Sequence, residues 1–125
     1  MMEPLLLLKT SIVLLALGAL VGVVMAWMRF GGRPHPPASL AMLHGLLVAA
    51  PLTLLIYGAA TVGLPPLAMG ALALFLVAAA GGTALNLAYH WKQRALPRWL
   101  VSVHAVAAVV GFALLVLATW PQLGG

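Results

Sequence analysis

Between Arg33 and Lys92 the chain reads PHPPASLAMLHGLLVAAPLTLLIYGAATVGLPPLAMGALALFLVAAAGGTALNLAYHW (residues 34–91), without one charged side chain. Two apolar runs lie inside this stretch, over about 39–60 and 66–89, parted by Val62-Gly63-Leu64-Pro65-Pro66. Each is long enough to cross a bilayer as a helix, which takes roughly 20 apolar residues. Outside the stretch, a third run over about 5–28 precedes it and a fourth over about 98–120 comes after it. The breaks GGRPHPP (31–37) and KQRALP (92–97) carry the Gly and Pro that make turns. Connections this short force neighbouring helices to run antiparallel. An open sheet would leave its edge amides unpaired in lipid. The expectation is therefore an all-α membrane protein: a single domain over 1–125, built as an up-down-up-down bundle of four transmembrane helices.

Composition agrees. Of 125 residues, 65% are hydrophobic and 6% charged, where a soluble domain has roughly a quarter charged. So few charges exclude an ordinary water-soluble domain and a disordered chain. The absence of cysteine excludes disulfides, thiolate metal sites, iron–sulfur clusters and thioether-linked haem. The net charge of +5 does not point to nucleic acid, because the cations are placed by topology. Arg29, Arg33, Lys92, Arg94 and Arg98 gather where the first and third loops lie, while the other end holds only Lys9 and Glu3. The positive-inside bias then puts the two basic loops in the cytoplasm and both termini outside, as in a bacterial inner membrane. Trp27, Trp91 and Trp99 fall at the basic interface and Trp120 at the opposite one, as aromatic-belt residues do. The start, Met1-Met2-Glu3-Pro4, lacks the positive segment of a cleaved signal peptide, so the first run is read as a retained span.

Aligned on itself, the chain matches PASLAMLH (37–44) with PRWLVSVH (97–104), a shared Pro-x-x-Leu-x-x-x-His at an offset of 104 − 44 = 60. The same offset pairs Gly22 with Gly82. Pro, Gly and His are scarce enough here for the agreement to suggest two αα-hairpins in parallel repeat. The second and fourth helices then run parallel on opposite corners of the bundle. His44 and His104 each lie seven residues past a Pro, and so enter at one depth, roughly 10 Å from the basic side at 1.5 Å per residue.

Ionisable groups inside a membrane are costly and mark function. A lone His is satisfied by bonding a carbonyl across the bundle, but a matched pair at one depth points to a shared ligand. Two neutral imidazoles on rigid elements suit the axial positions of one haem b, with His44 and His104 as iron ligands. Gly18 and Gly22 on the first helix, Gly81 and Gly82 on the third, and Ala107, Ala108 and Gly111 on the fourth are small residues at that level. They would let a flat macrocycle approach the backbone, although small residues also serve plain helix packing. Arg29, Arg33, Arg94, Arg98 and His90 lie on the histidine side and are candidate partners for haem carboxylates. His35 is expected to be solvated in its Pro-rich loop, and His90 interfacial. A second haem on those two would sit at the surface and is not expected.

Four helices, histidines on the parallel diagonal pair and glycines on the helices between them resemble the small membrane b-type cytochromes and cytochrome b anchor subunits of respiratory enzymes. The resemblance is one of pattern across the bundle. It implies His44 and His104 as axial ligands, and electron exchange with a quinone or a docked redox protein. Dihaem members carry a second histidine pair toward the other face. This chain has none there, so a transmembrane two-haem path is not expected. With both axial positions filled, electron transfer is expected rather than oxygen chemistry. No nucleophile–base pair or carboxylate dyad supports a hydrolase, so any enzymatic role would be as one subunit of a redox complex.

Other classes fit less well. A transporter places acids at mid-membrane, and the single acid is Glu3. Asn86 and Thr83, one turn apart, suit interhelical hydrogen bonds. Met42 and His44 form an M-x-H that would suit Cu(I), but on a helix they point about 200° apart. A chlorophyll-type pigment would not require the diagonal pair. The rival is a cofactor-free accessory or assembly subunit packed against larger membrane proteins. The Gly18/Gly22 face would also serve a homo- or hetero-oligomer if no cofactor uses it.

Overall fold

The computed structural model describes residues 3–123. Met1 and Met2, ahead of the first run, and Gly124 and Gly125, at the end of the expected 1–125 domain, lie outside them. The helices are α1 (Pro4–Phe30), α2 (Ala38–Thr61), α3 (Pro66–Ala84) and α4 (Arg98–Leu123), with no strand among the described residues. Proline sets where they begin. Pro4 and Pro66 occupy first-turn positions, and Pro37 directly precedes α2. A ring that fixes φ and has no N–H costs nothing where the amide is unpaired anyway. At the other end of α2, Gly63 takes φ +79° and its amide donates to the Gly58 carbonyl at 2.9 Å, which reverses the chain tightly into α3.

Two departures from regular helix carry no signal in the apolar pattern. Pro51 lies inside α2 and is fully buried; lacking an N–H, it deprives the Leu47 carbonyl of its helical partner. After Ala84 the third helix widens into a π-helical turn over Leu85–His90, closed by the Trp91 amide on the Asn86 carbonyl at 2.7 Å. The wider turn shifts the helical phase of the residues beyond it, and His90 at its end is buried.

All four helices, the third counted through His90, are long and apolar enough to cross a membrane. Many large apolar side chains, Leu20, Val23, Leu46 and Val109 among them, point outward. This is an integral-membrane four-helix bundle whose outer surface is suited to lipid. The helices are not packed evenly. α1 lies chiefly on α2 and α3 chiefly on α4, while α1–α4 meet less and α2–α3 least. The molecule is thus two close hairpins joined along a looser seam. Its main core, around Leu7, Leu8, Leu55, Leu72 and Leu115, fills the end away from the basic loops. A smaller cluster of Leu85, Leu96 and Val101 fills the basic end. The paired histidines lie between the two.

Candidate functional site: two histidines on one cavity

His44 on α2 and His104 on α4 face each other across the seam, ring centres 6.2 Å apart and planes at 74°. Both are oriented in the same way from within their own hairpin. His44 Nδ1 is 2.8 Å from the Gly18 carbonyl of α1, and His104 Nδ1 is 2.7 Å from the Ala78 carbonyl of α3. Each bond spans 26 residues, and Gly18 and Ala78 are themselves 78 − 18 = 60 apart, so the repeat extends to the hydrogen bonds. A carbonyl only accepts, so each Nδ1 carries the proton and each Nε2 keeps its lone pair. That second bond is what fixes the ring and tautomer of a metal-binding histidine.

The glycines explain how α1 and α3 come so near. A Cβ at Gly22 would meet His44 Cε1 at 3.0 Å, and one at Gly82 would meet His104 Cε1 at the same 3.0 Å. At Gly18 a Cβ would press on Val48 at 2.6 Å, and at Gly81 it would touch His104 at 3.7 Å. Gly111 lies against Phe75. Four of these glycines therefore pack helices and seat the imidazoles, while Gly111 receives a phenyl ring. None of the five lines the cavity between the hairpins.

That cavity has a volume of about 170 Å³. It is lined by the two histidines and by Leu15 with Phe75, Ala19 with Ala79, Val48 with Ala108 and Leu52 with Phe112, each pair again 60 apart; Ala78 and Val109 complete it. It runs from the histidines away from the basic loops. The sequence reading missed its aromatic and leucine walls. The signal for them existed, since the offset that matches the histidines also pairs Leu15 with Phe75 and Leu52 with Phe112.

The proposed carboxylate partners lie elsewhere. Arg29, half-buried, donates from Nε to the Leu96 carbonyl at 2.7 Å and from a terminal nitrogen to the Arg33 carbonyl at 3.4 Å. Arg33 reaches the Met28 sulfur at 3.9 Å, and Arg98 sits 6.0 Å over the Phe30 ring. Arg94 is exposed. His90 is stacked on His35 with ring centres 4.8 Å apart. His35 is therefore not the free loop residue expected, because the Leu96 amide bonds the Pro34 carbonyl at 2.9 Å and draws the two loops together. Thr83 bonds the Ala79 carbonyl of its own helix, and Asn86 is exposed, so the expected interhelical bonds are not made within the chain. Met42 is exposed and does not join His44.

The separation of the two rings is compatible with one metal held between them. Metal–imidazole bonds of about 2 Å, with each ring centre about 1 Å behind its nitrogen, place two opposed rings roughly 6 Å apart, close to the 6.2 Å found. Among the described residues no three His, Asp or Glu side chains come together. Further coordination would have to come from a macrocycle or the metal would stay two-coordinate. A cavity near 170 Å³ holds a benzene-sized ring, since roughly 150 Å³ suffices for that. A porphyrin is larger and requires the hairpins to stand further apart along the seam. Compared with known proteins, the chain matches no family model, no curated protein and no solved structure.

Proposed function

We propose that the protein is a membrane-embedded b-type cytochrome that binds one haem between His44 and His104 and carries electrons, as a subunit of or partner to a redox complex. The observation that carries this reading is the pair of imidazoles, one from each hairpin, each bonded through Nδ1 to a carbonyl of its own hairpin and with ring centres 6.2 Å apart. A haem held by His44 and His104 would supply a one-electron carrier. The chain's part is to fix both tautomers through the Gly18 and Ala78 carbonyls and to keep water out with apolar walls. Arg29, Arg33, Arg94, Arg98 and His90, at the basic end, are the cationic and polar groups toward which carboxylates would turn. The electron partner would be a quinone or a redox protein, and the setting a bacterial inner membrane with the basic loops cytoplasmic.

The test is an optical spectrum of detergent-solubilised protein supplied with haem. A low-spin bis-imidazole Soret band and reduced α-band are expected. They should disappear in both His44→Ala and His104→Ala, with helical circular dichroism retained, and persist in His35→Ala. Protein that stays colourless would overturn the assignment. A second reading is favoured by one observation: the cavity as it stands needs no widening for a bare Cu(I) held linearly by the two imidazoles. Stoichiometric copper, lost in the same two variants and with no haem uptake, would select it. Protein that takes up neither would be a cofactor-free accessory subunit.

A further inference from the structure

The basic end holds a charge arrangement that lies outside the histidine cavity. The Pro34–Leu96 backbone bond joins the α1–α2 loop of one hairpin to the α3–α4 loop of the other. Arg29 spans the same junction, reaching Leu96 and Arg33. Arg98, two residues past Leu96, reaches back to Phe30 at the end of α1. Cations from both hairpins therefore converge on one seam, with Lys92 and Arg94 exposed beside it. The chain has one acid, Glu3, and it lies at the opposite end. Like charges gathered without a protein counter-ion repel, and the repulsion pushes apart the hairpins that the bonds hold.

Trp27, Trp91 and Trp99 are exposed around this end. Tryptophan settles at the lipid headgroup level, so the cations lie where phosphates are. None of these cations lines the histidine cavity. We propose that the seam between the two loops binds the phosphate of an anionic phospholipid, which bridges Arg33 of one hairpin and Arg94 of the other and neutralises the cluster. The lipid holds the two hairpins together at the end where no covalent loop does. Neither haem nor copper is required for it.

The test uses the full chain without cofactor, in nanodiscs of phosphatidylcholine alone or with phosphatidylglycerol of the same acyl chains. Phosphatidylglycerol should raise Tm, and high salt should diminish the rise. Arg33→Gln with Arg94→Gln should abolish the rise, weakening lipid binding by roughly fivefold per cation lost. The double Lys variant at those positions should keep it. Lys9→Gln, at the far end, should also keep it. The double Gln variant should remain folded in phosphatidylcholine, where it relieves repulsion. Equal Tm in the two membranes, or an equal loss from Lys9→Gln, would overturn the proposal. Stabilisation of the detergent-solubilised protein by inorganic phosphate alone would overturn the lipid assignment in favour of a free anion. Haem or copper uptake is not read in any arm, so failure here leaves the cofactor assignment standing, and the converse.

Discussion

A hydrogen atom in place of a side chain decides the closest approaches in this protein. At Gly18 any Cβ meets Val48 at 2.6 Å, whereas at Gly45, one residue past His44, there is nothing within 4 Å. Gly18→Ala should therefore destabilise the bundle by about 1–3 kcal/mol through overpacking. Gly45→Ala should be neutral or stabilising by up to about 1 kcal/mol from helix propensity. Unfolding of the two variants side by side in mixed micelles measures the contrast. Composition shows both glycines alike; only the partner across the helix pair separates them. For the same reason the sequence placed His44 and His104 at one depth but left the carbonyls that orient them out of view. A backbone acceptor has no letter of its own, and only the equal spacing of 26 residues betrays it after the fact. His35 and His90 show the opposite limit: their stacking depends on a contact between loops distant in the chain.

Helix number, order and antiparallel sense stem from apolar length and short Pro/Gly breaks, and these were readable because lipid leaves the backbone no alternative. The π-helical turn and the buried Pro51 were not, since each is a local exception tolerated by tertiary contacts rather than required by pattern. Between elements, the Arg29 side chain connects α1 to the loop before α4. Arg29→Met keeps the apolar stem but removes both donations to carbonyls. A charged donor to a carbonyl contributes about 1.5–3 kcal/mol when buried, and partial exposure brings this toward about 1 kcal/mol. Exchange of the Leu96 amide, bonded to the Pro34 carbonyl, should accelerate in this variant, while that of mid-helix amides in α1 and α2 should not. Uniform acceleration throughout would show that Arg29 acts on global stability instead.

At the scale of the whole molecule, contacts within hairpins outweigh those between them. Cutting the chain in the loop over residues 62–65, or co-expressing the two halves, should leave hairpins that co-purify through the α1–α4 contact and the basic-end junction. Arg29→Met should weaken their recovery together, and separation of the unmodified halves on the first column would contradict this account of the seam. Because each imidazole is held by a carbonyl of its own hairpin, neither ring depends on the other half for its aim. The first hairpin can finish its half of the site as soon as it has entered the bilayer, while the second is still being synthesised. Completing the site is then an encounter of two prepared faces in the plane of the membrane.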